Sequence, residues 1–188
     1  MLMAASPPLC DPRRRRHAIL VMGVSGCGKS SVAARLSISL GFTFVEGDNL
    51  HPAANVDKMA RGIALGDEDR WPWLDAIGNV LSNGLDLGVV ISCSALKLVY
   101  RERLRQAADG ILPIVSLHGS RAVLMQRMSA RRDHFMPPTL LDSQLAALEV
   151  PTAEPGVITI DIDQPLDIIC DLALRGLGEL AFSRGETR

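Results

Sequence analysis

Lysine is almost missing from this chain. Lys29, Lys58 and Lys97 are the only three among 188 residues, and the other basic side chains are arginines. Acidic and basic groups nearly cancel to a net charge of −1, so no global positive field argues for nucleic acid. The four cysteines, Cys10, Cys27, Cys93 and Cys170, stand far apart, with neither CxxC nor Cys/His metal spacing. They read as reduced thiols of a cytoplasmic protein. Long apolar runs are also lacking: Ala18 to Val24 is far too short to span a bilayer, so no membrane partner is expected. The N-terminus lacks the positive-then-apolar order of a signal peptide. Ser6 to Arg16 instead holds three prolines and the run Arg13-Arg14-Arg15-Arg16. Residues 1–16 are therefore expected to form a disordered, solvated tail.

Apolar residues make up 47% and charged residues 22%, an ordinary balance for one buried core. The length suits a single domain, expected over residues 17–188. Short apolar runs bounded by glycine predict strands at 17–22, 42–45, 89–93, 112–117 and 157–162. Longer stretches predict helices at 31–40, 52–62, 71–85, 97–108, 122–131, 139–148 and 165–180. Asp67 or Asp69 is expected to cap the third helix. Trp71 and Trp73, flanking Pro72, read as core rather than ligand-stacking groups. Alternation of this kind argues for an α/β fold, a parallel sheet covered on both faces.

Between the first strand and first helix lies Gly23-Val24-Ser25-Gly26-Cys27-Gly28-Lys29-Ser30, a full match to GxxxxGK[ST]. The glycines let backbone N–H groups turn inward around phosphate oxygens, and the helix adds its positive end. Lys29 is placed to reach the β- and γ-phosphates and Ser30 to ligate Mg²⁺, with Ser31 grouped beside them in the nucleotide site. Cys27 occupies a free position of the loop and is expected to contribute only backbone. No guanine-specifying N/TKxD is present. Asp75 to Gly78 matches DxxG only inside a predicted helix. No apolar strand ends in a Walker B aspartate, since the third ends in Ser92-Cys93-Ser94. A small chain with one P-loop then favours phosphoryl transfer from ATP to a small acceptor.

The second strand runs into Glu46-Gly47-Asp48-Asn49-Leu50-His51-Pro52. In a parallel sheet the C-terminal strand ends face the ligand crevice. Two carboxylates two residues apart can then divide labour, one holding the water shell of a metal and the other orienting or deprotonating a hydroxyl. The alternative for Asp48 is a plain turn residue.

The segments GDNLHPAANVDKMARGIALGDEDRWPWL, SCSALKLVYRERLR and RMSARRDHFMPPTLLDSQLAALEVP closely resemble the gluconate kinases, with shikimate kinase a more distant relative. The resemblance runs from about His17 to the end. It implies ATP-dependent conversion of D-gluconate to 6-phospho-D-gluconate, with ATP and Mg²⁺ as cofactors. It further implies a P-loop NTPase three-layer sandwich of five parallel strands ordered 2-3-1-4-5, a mobile lid at about 131–138, and room for a homodimer.

Carried onto this chain, the resemblance makes Asp48 the acceptor-binding carboxylate and base, and Glu46 the group that supports Mg²⁺ through water. His51 either donates to a gluconate hydroxyl or fixes the loop. Arg70 either holds the substrate carboxylate through its guanidinium fork or pairs with Asp67 or Glu68. Lys58 and Arg61 either neutralise that carboxylate or face solvent. Lys97 and Arg101, four apart on one predicted helix face, are assigned to substrate or phosphate. Arg127 is placed against adenine or phosphates, and Pro165 lies in a loop, Asp161 to Pro165, that resembles the adenine border. Arg131 is assigned to clamp the transferring group as the lid closes, Arg132 to substitute for it or face solvent, and His134 to the substrate. Three departures stand out: Leu98 where the family often has a second lysine, Asp133 where it usually has glycine, and His118-Gly119-Ser120 where it often has Lys-Gly-Asp.

Overall fold

The computed structural model describes residues 18–83, 88–109, 112–129, 138–152 and 154–185. The expected tail at 1–16 lies outside them. So do Arg131, Arg132, Asp133 and His134, and with them nearly all of the expected lid.

Each predicted strand is present: β1 (Ala18–Met22), β2 (Thr43–Glu46), β3 (Val89–Ser92), β4 (Ile114–His118) and β5 (Val157–Asp161). So is each predicted helix: α1 (Lys29–Leu40), α2 (Ala53–Ala60), α3 (Asp67–Asn83), α4 (Leu98–Ala107), α5 (Arg121–Ser129), α6 (Pro138–Ala147) and α7 (Leu166–Gly185). Two local features differ from expectation. A single 3-10 turn, Gly47–Leu50, follows β2 where only a glycine break was expected. Helix α3 starts four residues before Trp71, so the acidic segment forms its first turn and Pro72 lies inside it. The Asp69 carboxylate accepts the Gly66 N–H at 3.1 Å, a cap formed from within the first turn.

The strands form one parallel sheet in the order β2-β3-β1-β4-β5. Side chains of a strand alternate between faces, and β1 shows the consequence. Ile19 and Val21 join Val32, Leu36, Leu124, Ile169 and Ala173 in one buried cluster, beside α1, α5 and α7. Ala18, Leu20 and Met22 join Trp73, Leu74, Ile77, Tyr100 and Leu104 in a second, beside α3 and α4. The central strand is therefore apolar throughout because both of its faces are covered. This is the three-layer α/β arrangement expected from the alternation and the resemblance, and it puts the end of β1, where the glycine loop begins, at the middle of the sheet's C-terminal edge.

Candidate active site

The glycine loop turns on three positive-φ residues: Gly23 (144°), Gly26 (82°) and Gly28 (93°). At Gly23 the constraint is also spatial, since a Cβ would stand 2.5 Å from the Leu117 carbonyl oxygen of β4. Val24 and Cys27 are buried under the loop, so it is anchored by its side chains and offers its backbone outward. Gly28 caps α1 without a side chain, leaving the first-turn N–H groups clear for an anion. The Lys29 ammonium folds back to donate to the Val24 carbonyl at 3.2 Å. Arg127, on α5, passes beside Gly28 and donates to the carbonyls of Ile162 (2.5 Å) and Gln164 (3.3 Å). It thereby ties α5 to the Asp161–Pro165 segment, which ends where Pro165 accepts the Ile169 N–H at the start of α7.

The turn after β2 is built against β3. Ser92, wholly buried, donates its hydroxyl to the Glu46 carboxylate and accepts the Gly47 N–H at 3.4 Å. Gly47 lies so close to the Ser92 carbonyl that no side chain fits there. Trp73, wholly buried as expected for core, donates its indole N–H to the Gly47 carbonyl at 2.7 Å. Its ring stacks on that of His51, centroids 4.2 Å apart and planes 14° apart. Burial pushes the His51 imidazole down to about 4, with Asp48 pulling it up and Arg70 pushing it down. His51 is thus neutral at physiological pH. Cys93, just beyond β3, is a buried thiol pushed up to about 12, chiefly by burial, and supplies no thiolate.

These elements line an open cleft. Ser25 and Lys29 of the P-loop line it together with Asp48, His51, Arg70 and Gln144 of α6. Arg70 donates through Nε to the Leu65 carbonyl at 3.4 Å. Among the described residues no carboxylate lies within ion-pair distance of it, so the surface pairing with Asp67 or Glu68 is not formed. Lys58 is held by Asp69 at 2.6 Å and Arg61 is exposed, so neither lines the cleft.

Lys97 and Arg101 are not brought together there. Lys97 precedes α4 rather than sharing its face, and it pairs with Asp67 at 2.6 Å. Arg101 points the other way, into the protein, and is wholly buried. It is ion-paired with Glu154, which also takes Arg105 at 2.9 Å, and it donates to the carbonyls of Ala95 (3.1 Å) and Leu96 (2.9 Å). Arg101 is therefore not the substrate contact expected of it: a guanidinium with all its neighbours inside the fold ties α4 to the loop ahead of β5. Spacing of four gave the right helix and the wrong face.

Three contributors escaped sequence reading. Gln144 accepts the Ser25 N–H at 2.7 Å through Oε1. Ser92 holds Glu46. Asn55, one helical turn beyond His51, bonds to its ring. Gln144 lies in the very segment that carries the resemblance, and the four-residue step from His51 to Asn55 was available, yet nothing in either signal says which neighbour is met.

A family model described as an AAA domain matches residues 19–151. A gluconokinase of Gluconobacter oxydans is 44% identical over 84% of this chain and 89% of the relative. A crystal structure of a gluconokinase from Sinorhizobium meliloti superposes with a TM-score of 0.85, at 49% identity, covering 94% of this chain and all of that one. Shikimate kinase from Aquifex aeolicus, 15% identical with a TM-score of 0.57, shares the fold. With its P-loop, strand order and near full-length likeness to these proteins, the chain belongs to the gluconokinase family of P-loop kinases.

Proposed function

We infer that this protein transfers the terminal phosphoryl group of ATP to the 6-hydroxyl of D-gluconate, giving 6-phospho-D-gluconate and ADP. One observation carries the reading at the level of the site: Asp48, His51 and Arg70 line the same cleft as Lys29 and the P-loop backbone. A carboxylate, a neutral imidazole and a guanidinium suit an acceptor that is both polyol and acid.

In this reading Arg70 takes the carboxylate of the acid, and Asp48 orients the attacking hydroxyl and receives its proton. Transfer depends chiefly on positioning and charge stabilisation, so an ordinary carboxylate suffices as base. Gly23 to Ser31 hold the phosphates and Lys29 offsets their charge. Arg127 borders the nucleotide. Lys97 is not among the residues lining the cleft, and its ammonium must leave Asp67 to reach an anion. Arg131 and His134 enter the proposal through the resemblance alone, as clamp and substrate contact.

Ser30 and Glu46 offer a hydroxyl and a carboxylate, hard oxygen donors that suit Mg²⁺. Among the described residues no cluster of three or more His, Cys, Asp or Glu could replace this set. That fits an ion held mainly by water and phosphate oxygens, which when bound neutralises charge on the transferring group. Ser92 keeps the Glu46 carboxylate in place for it. A cytoplasmic setting, a single domain over 17–188 and a homodimer complete the proposal, the first supported by the buried, unbridged thiols of Cys93 and Cys170.

The broader alternatives, another sugar-acid or polyol kinase or an ATP-binding module without turnover, are not favoured by the relatives. Mg²⁺-dependent ADP release is to be measured with gluconate, other aldonic acids and shikimate. Gluconate is expected to give the highest kcat/KM; background rates with every acid would refute the reading.

A further inference from the structure

We propose that Asn55 is a positioning residue: its buried carboxamide holds His51 as the Nε2–H tautomer, so that His51 enters the acceptor cleft as a hydrogen-bond donor and not as a base. The inference rests on the reading of that cleft as the acceptor site.

The hydrogen bonds of Asn55 fix its orientation. The residue is 4% exposed. Its Nδ2 donates to the backbone carbonyl of Asp69 at 2.6 Å. A carbonyl can only accept, so the NH₂ end of the carboxamide must face it and the amide cannot be turned over. The same nitrogen lies 3.3 Å from Nδ1 of His51. An amide nitrogen offers protons and no usable lone pair, so Nδ1 must be the acceptor. In a neutral imidazole that leaves the proton on Nε2. An imidazolium would set N–H against N–H, which agrees with a ring that stays neutral at physiological pH.

The ring has little freedom to escape this bond. Trp73 stacks against it and is itself tied to Gly47. Asp69 is held through its carboxylate by Lys58 (2.6 Å) and the Gly66 N–H (3.1 Å). The charged groups that bear on the ring are Asp48 and Arg70, and both line the cleft with it. Once Nε2 bears a proton it cannot take another from an acceptor hydroxyl. His51 then donates to a hydroxyl oxygen, and the leaving proton has Asp48 as its destination. The two residues of one turn, three apart in sequence, thereby receive opposite hydrogen-bonding roles.

The decisive measurement is ¹⁵N NMR of the full chain labelled at histidine. His17, His51, His118 and His134 are the only four, so His51→Gln assigns the His51 signals by their loss. At neutral pH, Nδ1 of His51 is expected in the range of an unprotonated ring nitrogen and Nε2 in that of a protonated one. The reverse pattern would overturn the proposal. This readout needs no turnover, so it stands apart from the identity of the acceptor. The functional arm uses Asn55→Ala, expected to raise KM for gluconate about tenfold, the value of one hydrogen bond. In a His51→Gln background, where an amide nitrogen donates without a tautomer to select, Asn55→Ala is expected to add little. An equal rise in both backgrounds would make Asn55 merely structural. Should Asn55→Ala fail to fold, the NMR pattern of the unmutated chain still decides.

Discussion

The P-loop gathers its ligand-facing groups within nine consecutive residues, Gly23 to Ser31, whereas the rest of the cleft draws on the 3-10 turn at 47–50, the residues leading into α2, the first turn of α3, and α6. The first surface is mostly backbone, presented by positive-φ glycines and fastened by buried Val24 and Cys27. The second is mostly side chains, each borrowed from an element whose main task is packing. Phosphate is common to every nucleotide, so a local backbone device can bind it. A particular acid with several hydroxyls has to be met from several directions, and only the packing of distant segments supplies them.

Substitutions can break or sharpen this contrast. Asp48→Asn keeps shape and removes the base; kcat is expected to fall about 10³-fold with KM for ATP little changed, as read by coupled ADP release. Full retained activity would remove Asp48 from the chemistry.

A paired test separates the two arginines first grouped as anion binders. Glu154→Ala leaves Arg101 buried without its partner and is expected to lower stability by about 3 kcal/mol in urea unfolding, while KM for gluconate holds in the folded protein. Arg70→Ala is expected to do the opposite, raising KM for gluconate about 10- to 100-fold with stability nearly intact. On the donor side, Gly23→Ala adds one methyl where the Leu117 carbonyl already stands. The displaced loop is expected to cost about 10²-fold in kcat/KM, though no functional side chain is altered.

The smallest effect concerns pH. The folded His51 pKa, about 4, lies below the ordinary 6.5. Between those values the unfolded chain binds a proton that the folded chain does not, so stability falls as pH drops from 6.5 toward 4. His51→Gln is expected to flatten that part of the stability profile, measured by thermal unfolding across the window. Asp67 and Asp69, held below the usual carboxylate range mainly by hydrogen bonds from Lys97 and Lys58, act in the same direction at lower pH.

Legibility in the sequence followed the range of the interactions. The strands were visible because a buried parallel strand must be apolar throughout, and the helix ends because Gly41 and Pro52 punctuate them. The start of α3 was less visible, since Asp67 to Arg70 is as suited to a loop as to a first turn facing water. Arg101 was misread because helical spacing gives relative angle and not which face meets the core. Nothing local announces that Glu154, 53 positions later, will neutralise it.

The amino-acid order by itself determined the phosphate-binding loop, the alternation of strand and helix, and the likeness that names gluconate as the acceptor. Each depends on neighbouring residues or on a pattern that repeats along the chain. Tertiary structure alone decided which cations are free for substrate: Arg70 opens on the cleft, Lys97 is taken by Asp67, and Arg101 is sealed with Glu154. Charge is a property of a residue, but availability of charge depends on what folding brings within about 3 Å of it.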